Sequence, residues 1–158
     1  MRLLLTLLTV VGLLGCGGGE CRFVYIAPNV QDQNVLQNNT NAIENYLDQN
    51  GLIANKTATG LYYIIETEGD MKKPDLCDNV FISYSGYFFN GDVFDSSPGV
   101  SFPLTNLIPA WQEGIPLFGK GGKGTLITPS YLAYGSQGAG NVIPPNTVLL
   151  FDIELLDF

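Results

Sequence analysis

A chain of 158 residues is long enough for one domain with a real core and too short for two comfortable ones. Its 46% hydrophobic content with 19 Gly and 9 Pro describes a turn-rich globular protein rather than a coiled coil or a disordered polymer. Seven Lys plus Arg against 15 Asp plus Glu give a net charge of −8 without a contiguous basic stretch, and histidine is absent; nucleic-acid partners, Ser-His-Asp or Cys-His nucleophiles and His-ligated zinc are thereby excluded.

The chain opens with MRLLLTLLTVVGLLGC, one arginine followed by an apolar run from Leu3 to Leu14. A bilayer span takes about 20 residues, so this run reads as a cleaved signal over residues 1–15 rather than a permanent helix. Leu13-Leu14-Gly15-Cys16 resembles the bacterial lipobox, which implies that Cys16 becomes the mature N-terminus and carries palmitate or similar acyl chains. The protein is then expected on a cell-envelope membrane, facing the periplasm. Gly17, Gly18 and Gly19 supply a flexible tether. Cys21 and Cys77 sit in a compartment that permits disulfides, and either a bond between them or two free thiols fits the sequence.

From Cys21 to Asn41 the chain is rich in Asn, Gln and Asp, and irregular structure is expected. Asn41 can cap a helix of about three turns whose Ile43, Tyr46 and Leu47 fall at helical spacing, with Gly51 as its stop. Leu61 to Glu68 reads as a strand between two glycines, and Asn79 to Phe89 as a longer one. Asn90-Gly91 is a hairpin turn, and a further strand begins at Asp92. Leu107, Ile108, Trp111 and Ile115 return to helical spacing, with Asn106 ahead and Gly114 behind; Pro109 fits only a first turn, so a short helix starts there. Lys123 to Thr128 is a strand, Pro129 to Pro145 a long loop, and Val148 to Leu156 a strand with Leu149, Phe151, Ile153 and Leu155 on one face. Several strands with one short apolar helix define an α+β domain, a sheet folded over the helix.

Three chemical motifs fail on inspection. Gly114 to Gly121 approaches a phosphate loop but has Gly121 where a metal-binding hydroxyl is needed, and no strand precedes it. The glycines between Gly135 and Gly140 follow no strand and open no helix, so a dinucleotide site is excluded. Asp92 and Asp95 are close enough to suggest a hydrolase pair, yet acids after Asn-Gly are ordinary turn residues.

The aromatic residues Tyr84, Phe94, Trp111, Tyr134 and Phe151 fall on or beside different predicted elements. With the segments around them, VFISYSGYFFNGDVFDSS, LIPAWQEGI and SYLAYGSQGAGNVIPPNTVLLFDIELLDF, the chain from residue 60 to 158 resembles the FKBP class of peptidyl-prolyl cis/trans isomerases. The resemblance implies a twisted antiparallel sheet wrapped around one short helix, with residues 16–59 as a tether and N-terminal helical extension. It also implies an apolar site in which Tyr84, Phe94, Asp95, Trp111, Tyr134 and Phe151 are the active residues, with Trp111 as floor and Asp95 as polar wall. Leu107, Ile108, Val142 and Ile143 complete the substrate contacts, and the Ile108 N–H and Tyr134 hydroxyl hold substrate carbonyls. Ala110, Val100 and Ala139 depart from residues common in the family. The implied substrates are proline-containing segments of unfolded exported proteins, with macrolides as inhibitors and no cofactor or metal. A monomer is expected. A catalytically weak chaperone or assembly-factor module of the same fold is the alternative.

Overall fold

The computed structural model describes Cys21 and residues 33–158; the expected signal, Cys16 and the glycine tether lie outside the described residues. Helix α1, Gln33–Asn50, begins eight residues ahead of the expected Asn41 cap, and so takes in part of the segment that composition marks as irregular. The reason is tertiary. Asn39 turns inward, is buried, and accepts a 2.6 Å hydrogen bond from the Ser130 N–H through its Oδ1. A polar residue thus serves the buried stripe that Ile43 and Leu47 continue. Gly51, at φ 63°, ends the helix: Leu52 N–H donates to Leu47 O and Gly51 N–H to Asp48 O, the Schellman pattern that a left-handed residue permits.

Six antiparallel strands follow: β1 Asn55–Lys56, β2 Tyr62–Thr67, β3 Asn79–Tyr87, β4 Val93–Pro103, β5 Lys123–Thr128 and β6 Leu149–Asp157. Helix α2, Pro109–Gly114, lies between β4 and β5 in the chain. The sheet order is β1-β2-β5-β6-β3-β4. On one face Val80, Ile82, Leu126, Phe151, Ile153 and Leu155 pack with Ala110, Trp111 and Ile115 of α2 and its continuation, and with Phe118. Tyr62, Ile127, Val148 and Leu150 form a second, smaller cluster with Ile43 and Leu47 of α1. Each aliphatic side chain so buried contributes about 1.5–3 kcal/mol before entropy is counted. β6 accordingly buries Leu149, Phe151, Ile153 and Leu155, while Asp152 is exposed and Glu154 half-buried.

The β3–β4 pairing breaks register twice. Gly86 pairs with Asp95 and Tyr87 with Val93, leaving Phe94 as an extra residue; Pro98 and Gly99 stand opposite Ser83 alone. Such bulges bend a strand and redirect its side chains. Gly91, at φ 87°, closes the hairpin, with Gly91 N–H donating to Phe88 O and Phe88 N–H to Asp92 O. Cys21 and Cys77 are joined by a disulfide, Cα–Cα 5.3 Å, tying the N-terminal segment to the loop ahead of β3.

Candidate active site

Pro109 occupies the first turn of α2, where its missing N–H costs nothing, and Ile108 is the N-cap. Trp111 N–H and Gln112 N–H both donate to Ile108 O, at 2.9 and 3.1 Å. The Gln112 amide turns back to donate to Leu107 O at 2.7 Å and Thr105 O at 3.1 Å, fixing the approach to the helix. This places Trp111 against Tyr84 of β3 and Phe151 of β6.

Between sheet and helix opens a cavity of about 300 Å³. Tyr84 from β3, Phe94 and Asp95 from β4, Trp111 from α2, Tyr134 from the long loop and Phe151 from β6 all line it, as do Leu107 and Ile108. Val142 and Ile143 are not brought to this lining. Ile143 is buried in the core and Val142 is 58% exposed. The cause is a small bridge in which Ala139 N–H donates to Ile143 O and Ile143 N–H to Ala139 O, turning Ile143 inward. Phe102 and Asn106 line the cavity without having been expected. The alternation of Val100, Phe102 and Leu104 with Ser101 and Pro103 carries the signal for Phe102; Asn106 has no comparable one.

The rings meet mostly edge to face. Tyr84 and Trp111 centroids are 4.9 Å apart at 74°, Trp111 and Phe151 5.2 Å at 85°, and Phe94 and Phe151 5.7 Å at 90°. Aromatic quadrupoles favour this arrangement. Gly86 makes it possible, since a Cβ there would stand 2.6 Å from Phe94 Cζ and 3.0 Å from Phe151. The Trp111 indole N–H is buried with no hydrogen-bond partner among the described residues.

Asp95 is the polar wall. Its Oδ2 accepts from the Tyr84 hydroxyl at 2.7 Å and its Oδ1 from the Ser96 N–H at 2.9 Å. Ser97 is occupied otherwise, its hydroxyl accepting from Gly99 N–H. Burial, then the hydrogen bond and charge of Asp95, push the Tyr84 phenol up to about 12. Burial and the same carboxylate raise Tyr134, whose hydroxyl makes no hydrogen bond among the described residues. Both phenols are neutral donors at ordinary pH. Asp92, by contrast, is bonded to Asn90 at the hairpin tip and is absent from the lining, so no carboxylate pair faces the cavity. Among the described residues no group of three or more metal-ligating side chains occurs.

An aromatic hollow with neutral donors at its rim and one fixed carboxylate is built to enclose an apolar ring, and it lacks the paired acid and base of a hydrolase. The sequence model for FKBP-type peptidyl-prolyl cis-trans isomerase matches residues 71–156, more than half of the chain, and the chain belongs to that family. A probable FKBP-type peptidyl-prolyl cis-trans isomerase FkpA of Neisseria meningitidis serogroup B is 46% identical over 104 residues, 63% of this chain and 38% of that protein. The chain therefore spans well under half the length of that relative. The crystal structure of FkpA from Escherichia coli superposes with a TM-score of 0.69 at 35% identity, over 80% of this chain and 60% of that one. A peptidyl-prolyl cis-trans isomerase from Pseudomonas syringae pv. tomato superposes with a TM-score of 0.70 at 30% identity, over 82% and 97%.

Proposed function

We propose that this chain is a peptidyl-prolyl cis/trans isomerase acting on X–Pro bonds of exported proteins in the bacterial cell envelope. The observation that carries the reading is the aromatic hollow of Tyr84, Phe94, Trp111 and Phe151, with the unpaired Tyr134 hydroxyl at its edge. The proline ring rests on Trp111 between Phe94 and Phe151. The Ile108 N–H, which the first helical hydrogen bonds of α2 do not use, and the Tyr134 hydroxyl hold the flanking carbonyls. Asp95, held by Tyr84 and Ser96, orients the substrate and transfers no proton.

Rotation about X–Pro is slow because amide resonance imposes a barrier of about 18–20 kcal/mol. The twisted transition state loses that resonance and much of its dipole, so an apolar enclosure favours it over the planar ground state. About 1.4 kcal/mol of such preference supplies each factor of ten in rate. No bond is broken and no nucleophile is needed, in accord with a chain that has no histidine.

The Cys21–Cys77 disulfide supports an oxidising compartment. Residues 60–158 form the isomerase domain and 16–59 its extension, anchored through acylated Cys16; β1, at Asn55–Lys56, joins the sheet from the extension side of that boundary. No helix among the described residues is long and apolar enough to cross a membrane. Mass spectrometry of the mature N-terminus tests the anchor, an acylated Cys16 being expected.

A protease-coupled assay on an Ala-Leu-Pro-Phe type peptide tests the activity. Clear acceleration over the uncatalysed rate is expected, and none would leave the domain a binding module. Tyr134→Phe is expected to lower kcat/KM roughly fivefold, the worth of one neutral hydrogen bond of about 1 kcal/mol.

A further inference from the structure

Asp95 is the sole charged residue lining the cavity. Every lining residue comes from two segments, 74–119 and 124–158, which together contain eight Asp and Glu and no Lys or Arg. The five lysines of the described residues are engaged elsewhere. Lys56 lies on β1 beside Glu44, and Lys72 lies over the Phe158 ring. Lys73 donates to Glu68 O, and Lys120 and Lys123 pair with Asp157 and Glu154. Lys123, on β5, is three interstrand steps from the strand of Asp95, roughly 14 Å counted across the sheet, and its ammonium is held by Glu154. That is nearly two Debye lengths at physiological ionic strength. The two donors on Asp95, the Tyr84 hydroxyl and the Ser96 N–H, are neutral and leave its charge uncompensated.

We infer that the cavity selects X–Pro segments with Lys or Arg beside the proline and disfavours those with Asp or Glu. The inference rests on the reading that X–Pro segments occupy this cavity. Successive residues are about 3.8 Å apart, so a side chain one or two positions from a bound proline stands within about 10 Å of the wall that Asp95 forms. Nothing in the lining offers a substrate carboxylate a cationic partner. The attraction acts at a solvent-exposed mouth, where it biases encounter and affinity by severalfold and is sensitive to salt.

The test uses the full chain and three blocked peptides of equal length, differing only in Lys, Ala or Glu beside the proline. Binding is read from the fluorescence of Trp111, the one tryptophan of the chain and the floor of the cavity. At about 20 mM salt the Lys peptide is expected to bind roughly five- to tenfold more tightly than the Glu peptide, with Ala between them, and the gap to close near 1 M. Asp92→Asn, just ahead of β4 and outside the lining, is expected to leave both the gap and the affinity for the Ala peptide unchanged, whereas Asp95→Asn is expected to close the gap; a gap that survives Asp95→Asn would overturn the inference. Equal affinities for the Lys and Glu peptides at low salt, or a preference indifferent to salt, would overturn the inference. Binding of all three without turnover, ordered Lys over Glu, supports it and removes the catalytic reading instead. Failure of all three to bind overturns both.

Discussion

Burial and Asp95 together set the state of Tyr84. The Tyr84 phenol is held neutral up to about 12 by burial first and by the Asp95 hydrogen bond and charge second. Asp95→Ala removes the second cause and keeps the first, so Tyr84 should titrate earlier than in the parent yet still above the ordinary phenol value of about 10. Ultraviolet difference titration of the two proteins measures this; an unmoved high-pH phenol would show that Asp95 does not hold it. A phenol whose folded pKa is raised stabilises the fold fully below about 10, and the contribution is lost as pH climbs from there through about 12. Gly86 is the other decisive position. Gly86→Ala forces a methyl against Phe94 and Phe151, and overpacking of this kind costs about 1–3 kcal/mol. Its urea midpoint should fall and kcat/KM fall with it, because the displaced rings are the walls of the hollow. The aromatic set was legible through the resemblance of the segments around it to the family, since each ring taken alone reads as a core residue. What aims Phe94 was not: the bulge opposite Gly86 and Tyr87 exists only in the pairing of two strands, which no single segment encodes.

At the scale of elements the largest surprise is α1. Its first two turns are mostly Asn and Gln, residues with little intrinsic reason to be helical, and composition alone marks them as loose. They are helical because Asn39 meets Ser130 across 91 residues of chain. Ser130 opens the turn that leads within four residues to Tyr134, so the extension braces a loop of the site. Asn39→Ala leaves the Ser130 N–H buried and unpaired at a cost of about 1–3 kcal/mol. Chemical denaturation should show a lower midpoint at unchanged slope. β2, β3, β5, β6 and α2, by contrast, were legible to within a residue or two, since β6 alternates cleanly and Pro109 admits one position in a helix, while β4 was legible only at its start. The two-residue β1 was not, being too short to show any period.

For the whole molecule, two properties matter, its covalent closure and its lack of histidine. The Cys21–Cys77 disulfide closes a separation of 56 residues, and a loop of that size stabilises by roughly 2–4 kcal/mol through the unfolded state. Neither cysteine lines the cavity, so reduction should lower the melting temperature while initial rates at low temperature stay as they were. Spacing alone left open whether the bond forms, because it depends on two loops meeting. The proposed catalysis by an apolar enclosure carries a sharper consequence. The chain has no histidine, and Tyr84 and Tyr134 are held protonated well beyond neutrality. The most direct measurement is kcat/KM for a proline tetrapeptide from about pH 6 to 9, below the raised phenols of Tyr84 and Tyr134. A large, level rate across that range is the expected result; a bell-shaped profile, or no acceleration at any pH, would contradict the account.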